Sequence, residues 1–124
     1  MMGESFAGDA MPMTIPDLTR AILEFRDQRD WQQFHSPKNL AISLSLEAAE
    51  ILEHFQWTTP GAEIPPKKAL ELEKEIGDVM IYLLLLASEL KVDPLVAAAK
   101  KLKENAEKYP VEKAKGKATK YTEL

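Results

Sequence analysis

The chain has 124 residues, enough for one domain and short for two. With 45% apolar and 29% charged residues it has the composition of a chain that buries a core, and its lack of cysteine excludes disulfides, thiol nucleophiles, thiolate zinc and iron–sulfur centres. The net charge of −4 is uneven: eight lysines stand against Glu104, Glu107 and Glu112 between Lys100 and Lys120, a net +5 that leaves −9 elsewhere, so most of the surface would repel a nucleic acid and a small phosphorylated ligand is the easier partner.

Residues 1–13 carry little pattern and read as a flexible leader. Thr14 can cap a first helix, Pro16 suits its first turn, Asp17 stands at the capping-box position, and Leu18, Ile22 and Phe25 recur at helical spacing to about Arg29. Ser36-Pro37 repeats the cap-plus-proline signal and predicts a second helix to about Gln56. Three prolines and a glycine between Trp57 and Pro66 mark a loop, after which a third helix is expected over about Lys67 to Leu90. Asp93-Pro94 opens a fourth helix to about Lys108, and residues 111–124 read as an extended basic tail beyond a domain spanning 14–110.

No segment alternates with period two, so the expected fold is all-α, a four-helix, bundle-like arrangement. The second and third helices are apolar on most faces, which makes them central and predicts a homo-oligomer formed through them. The longest apolar run, Val79 to Ala87, is nine residues against the ~20 that span a bilayer, and no secretory pattern is apparent; a cytoplasmic location with no membrane partner is the expectation.

Four carboxylates break the apolar pattern. At about 100° per residue, Glu47 and Glu50 share a face of the second helix with Leu40, Leu44 and Ile51, and Glu75 and Asp78 share a face of the third with Leu72, Val79, Tyr82 and Leu86. The 24 residues from Ile51 to Lys74 supply a helix end, a loop and a helix start, which bring the two pairs opposite each other. Convergent ionised carboxylates cost several kcal/mol each in lost hydration, so protonation or a divalent cation must compensate them; all-oxygen ligation favours Mg²⁺ or Mn²⁺. His54 lies one turn beyond Glu50, but a ferritin-like di-iron site needs Glu-x-x-His on two helices and the third helix has no histidine; His54 is read as a structural or pocket residue. Glu53 turns about 120° off the metal face, toward a solvated or intersubunit role.

The spacing Glu47-x-x-Glu50, then Glu75-x-x-Asp78, resembles the metal motif of the all-α nucleoside triphosphate pyrophosphatases, the superfamily that contains MazG and the dimeric dUTPases. The ordered set Arg29-Asp-Trp-Gln-Gln-Phe-His35, Asn39-Leu40, Phe55-Gln-Trp57, Asp78-Val-Met-Ile-Tyr82, Lys101, Asn105, Tyr109-Pro110 and Lys120-Tyr-Thr-Glu-Leu124 is similar to the dCTP pyrophosphatase branch. That resemblance implies a MazG-type fold and Mg²⁺-dependent cleavage between the α and β phosphates, yielding a nucleoside monophosphate and pyrophosphate. It implies a dimer, or a tetramer built as a dimer of dimers. It assigns Glu47, Glu50, Glu75 and Asp78 to the metal, Trp31, His35, Trp57 and Tyr82 to the nucleobase pocket, and Lys101 and Asn105 to phosphate or sugar. Animal members carry a histidine where this chain has Ile22, and a longer loop after Phe-Gln-Trp, which bears on base preference. The competing reading from the residues is a helical nucleotide- or protein-binding module stabilised by a metal without turnover.

Overall fold

A computed structural model describes residue 11 and residues 14–124; the leader expected over 1–13 falls, Met11 apart, outside the described residues. Among the described residues every regular element is helical, as expected: α1 Ile15–Gln28, a 3₁₀ turn Gln32–Phe34, α2 Pro37–Glu53, α3 Pro66–Glu89, α4 Pro94–Lys108, α5 Val111–Ala114 and a 3₁₀ turn Tyr121–Glu123. None of these helices is long and apolar enough to cross a membrane.

Three of the four main helices begin where the cap and proline signals place them, and α3 begins at Pro66, one residue before the expected Lys67. The Thr14 hydroxyl accepts from the Asp17 N–H at 3.1 Å, Ser36 accepts from Asn39 at 3.1 Å, and one Asp93 oxygen accepts from Leu95 at 2.9 Å and Val96 at 3.2 Å. Each bond satisfies amide donors that a helix start leaves unpaired. Helix α3 has no such side chain, its cap position being Pro65; the proline at its first position lacks the N–H that would need one. Two other boundaries differ from the sequence reading. Helix α2 stops at Glu53, not Gln56, because the chain tightens into i→i−3 bonds, His54 N–H to Ile51 at 3.2 Å and Phe55 N–H to Leu52 at 2.9 Å. The segment 111–124 is not extended throughout: it holds the single-turn α5 and the final 3₁₀ turn.

The chain divides into two compact units, one ending at Lys91 and one comprising Val92–Leu124. In the first, α3 is the central element, with both α2 and α1 packed against it. Ile22 from α1, Leu40 from α2 and Leu84 and Leu85 from α3 form the buried cluster, with Leu18, Leu23, Tyr82 and Leu86 packed around it. Arg26 is buried beside this cluster. Its Nε donates to Asp27 at 2.8 Å and its Nη1 stands 3.8 Å from Glu89, so the charge that ties α1 to the last residue of α3 is paired rather than stranded. In the second unit Glu104 lies 3.7 Å from Lys101 and 3.4 Å from Lys108, and the Lys108 ammonium stands 4.8 Å from the Tyr121 ring centroid, which in turn meets Tyr109 edge-on at 6.0 Å. These contacts keep the last turn of the chain against the end of α4.

The buried cluster makes two substitutions informative. Leu40, 1% exposed, leaves a cavity when truncated; Leu40→Ala is expected to lower unfolding free energy by about 2–5 kcal/mol in urea titration, against about 1 kcal/mol for the exposed cap change Ser36→Ala. Equal losses for the two would contradict this core.

Candidate metal centre

The two central helices meet along their apolar faces, and the acids embedded in those faces meet with them. Glu47 of α2 and Glu75 and Asp78 of α3 each offer a carboxylate oxygen, the three lying within 4.8 Å of one another. Glu47 and Glu75 are half-buried and Asp78 is exposed, so the cluster forms a shallow centre with one wet edge. Glu50, the fourth predicted acid, is not one of this converging trio but stands close enough to raise the pKa of both Glu75 and Glu47.

The electrostatics have a consistent sign. Glu75 is pushed from an ordinary value near 4.5 up to about 7, first by its hydrogen bond with Glu50, then by lost hydration and by the negative charges of Glu50, Glu47 and Asp78. Glu47 is raised as well, chiefly by burial and next by Glu50. Yet one oxygen of each, Glu47 Oε2 and Glu75 Oε2, is sealed from solvent without a hydrogen-bond partner. Buried acceptors without donors are costly, and both belong to residues whose carboxylates converge across the helix interface. An oxygen-coordinated divalent cation fits this donor set: it would satisfy the orphaned oxygens, replace the proton on Glu75 and cancel the mutual repulsion.

Beyond the trio an open groove of about 480 Å³ is lined by Glu50, Glu53, His54, Lys68, Glu71 and Glu75. Glu53 thus faces this groove rather than the converging oxygens. The sequence reading did not place Lys68 or Glu71 there, since their position depends on how the loop between α2 and α3 returns the chain. It also passed over Arg26, although one turn beyond Ile22 is an inward position on α1.

The predicted substrate residues are more dispersed. Trp31 is 44% exposed and meets Phe25 edge-on at 5.8 Å. Trp57 is 89% exposed in the turn after α2. His35 closes the first 3₁₀ turn with its Nδ1 sealed and unpartnered; burial, followed by the Arg26 charge, holds its pKa below the usual histidine value and keeps the ring neutral. Tyr82 is half-buried against the core cluster, one turn beyond Asp78. None of these four lines the groove. Lys101 and Asn105 share a face of α4 in the second unit, with Lys101 exposed and Asn105 half-buried.

Comparison with known proteins gives a consistent result. Residues 42–124 match the MazG-like family, a span that includes all four acids. The chain is 44% identical to dCTP pyrophosphatase 1 of Mus musculus over 115 residues, covering 90% of this chain and 68% of that protein, and 41% identical to dCTP pyrophosphatase 1 of Homo sapiens with the same coverage. A crystal structure of a pyrophosphatase from Archaeoglobus fulgidus superposes with a TM-score of 0.75 at 41% identity, covering 82% of this chain and 97% of that one.

The raised Glu75 pKa has a testable sign. A carboxyl whose folded pKa lies above its unfolded value contributes stability that is present below about pH 4.5 and lost as pH rises through about 7. In EDTA the wild-type melting temperature is therefore expected to fall relative to Glu75→Gln across that window, and a divalent cation should restore it most strongly at the upper end. Parallel melting curves for the two proteins would contradict the assignment.

Proposed function

The chain belongs to the MazG-like family, in its dCTP pyrophosphatase branch, and from that premise we propose that it is a Mg²⁺-dependent nucleoside triphosphate pyrophosphohydrolase acting on a pyrimidine deoxynucleotide such as dCTP. The single observation that carries the reading is the convergence of the Glu47, Glu75 and Asp78 oxygens, two of these residues with a sealed, unpartnered oxygen, in a chain similar along most of its length to dCTP pyrophosphatases.

In this reading Glu47, Glu75 and Asp78, with Glu50 beside them, hold Mg²⁺, with Mn²⁺ as a substitute. When bound, the cation offsets phosphate charge and lowers the pKa of water that it touches. The acids do the rest of the local work. Glu75, with its pKa pushed up to about 7, would give up its proton to act as a ligand, and Glu47 and Asp78 would supply the other converging oxygens. A water oxygen bonds to the α-phosphorus as the α–β anhydride bond breaks; pyrophosphate leaves, the water oxygen stays on the nucleoside monophosphate, and the water's proton passes to solvent. Trp31 and Trp57 offer exposed indole faces on which a nucleobase can stack, neutral His35 and Tyr82 complete the base pocket, and Lys101 and Asn105 meet phosphate or sugar.

The same reading takes residues 14–110 as one catalytic domain, with residues 111–124 as its basic tail, and places the enzyme in the cytoplasm with the nucleotide pool on which it acts, bound neither to nucleic acid nor to a membrane. It also makes the protein a homo-oligomer, a dimer or a dimer of dimers. What supports that is the amount of apolar side chain left in water on the central helices: Leu46, Leu52, Leu70 and Ile76 are each 60% exposed or more.

Two outcomes test the proposal. Incubation with each deoxynucleoside triphosphate and Mg²⁺ is expected to release pyrophosphate, most rapidly from a pyrimidine substrate; orthophosphate as the sole product would contradict cleavage between the α and β phosphates. Glu47→Gln and Asp78→Asn are each expected to reduce turnover by about 100-fold or more, since even outer-sphere partners of a metal are worth ~10–100-fold, while far-ultraviolet circular dichroism stays helical. Metal-dependent stabilisation without turnover in the wild type would favour the non-catalytic binding module instead.

A further inference from the structure

A second set of contacts joins α2 to α3 next to the acidic centre. The Lys68 ammonium, in the first turn of α3, donates to the backbone carbonyl of His54 at 3.5 Å, reaching across 14 residues of sequence. The His54 imidazole, with only 16% of its side chain exposed, places Nδ1 3.8 Å from Glu71 Oε2. These residues line the groove that also contains Glu50 and Glu75. His54 follows Glu50 by one turn and Glu71 precedes Glu75 by one turn, so the contacts lie one helical turn beyond the metal-binding carboxylates on both helices.

A lysine among Glu50, Glu53, Glu71 and Glu75 offsets their charge, but it stands against a cation held next to them. An ammonium beside a cation site lowers that site's affinity for the cation. Its position instead suits the carbonyl end of α2, where exposed C=O groups and the negative end of the helix dipole attract a positive charge. The metal-free carboxylates on α2 and α3 repel one another, and a bond between the same two helices one turn away opposes that repulsion.

The geometry points to Lys68 and His54 as positioning residues, a latch that holds α2 and α3 at the separation at which Glu47, Glu75 and Asp78 converge before the cation arrives. The inference rests on the reading above that these carboxylates hold a divalent cation. Neither residue touches the cation or the substrate; the latch acts on affinity for the metal and leaves turnover by the loaded enzyme unchanged.

The test is direct Mn²⁺ binding to the full chain without nucleotide, read from the electron paramagnetic resonance signal of free Mn²⁺. Lys68→Met keeps the aliphatic stem and removes the ammonium. Charge alone makes this variant bind Mn²⁺ more tightly than wild type; the latch makes it bind about tenfold more weakly, with kcat at saturating Mg²⁺ unchanged. Lys68→Arg should restore affinity to within about threefold of wild type, the donor and charge being kept. His54→Phe is the second variant, and it carries the test should Lys68→Met not fold. Loss of an imidazole removes at most a positive charge, so charge alone cannot weaken the site, whereas loss of the latch does. Unchanged or tighter Mn²⁺ binding in the folded variants overturns the inference. So does a raised KM with unaltered Mn²⁺ affinity, which would make Lys68 a substrate-phosphate contact. If the wild type itself fails to bind Mn²⁺, the metal-centre reading falls and the latch with it; if the wild type binds and the variants match it, only the latch falls.

Discussion

Like charges brought together by apolar packing are the constraint on which the first unit of this protein turns. Leu40 of α2 and Leu85 of α3 are buried in one cluster, and the faces that bury them also carry Glu47, Glu75 and Asp78. The helices cannot gain the apolar contact without bringing the acids together. The hydrophobic gain of each large buried side chain, roughly 1.5–3 kcal/mol, is of the same order as the cost of crowding carboxylates, so the core can impose an arrangement that the acids alone would avoid. A site built in this way is preformed, with its charge uncompensated until a cation or a proton arrives.

Two compensations come from the acids themselves. The pKa of Glu75 is pushed up to about 7 by its neighbour Glu50 and by lost hydration, so a proton lessens the repulsion between the two. Glu47 moves in the same direction through burial. Both devices leave an oxygen of each residue sealed and unpartnered, an incomplete solution that an oxygen-seeking cation completes. A divalent cation bound here would compete with those protons, so its affinity would rise with pH. A polyphosphate carries charge of the same sign, so an acidic centre would meet it favourably only through a bound cation.

Much of this was legible in the residues because it rests on local rules. Thr14, Ser36 and Asp93 each precede a proline or a short polar turn, and each caps a helix where expected; the i, i+3 acids within apolar stretches placed Glu47, Glu75 and Asp78 on facing surfaces once a loop of the right length joined them. The parts that were not legible depend on distance in space. Nothing in the spacing distinguished Glu50, which stands beside the trio, from Glu47, which belongs to it, because a helical face fixes direction to within tens of degrees while ligation is decided within an ångström. The end of α2 was placed three residues late, since the i→i−3 bonds that close it leave no mark in composition. Lys68 and Glu71 carry no signal of their own in the sequence, and only the return of the loop brings them to His54.

The measurement that bears most directly on the central claim is a crystal structure of the protein grown or soaked with Mn²⁺, with the metal located by its anomalous scattering. The account predicts a Mn²⁺ ion between α2 and α3, with oxygens of Glu47, Glu75 and Asp78 at about 2.1–2.2 Å. The opposite result, no metal peak there and those three side chains turned apart into solvent, would contradict it.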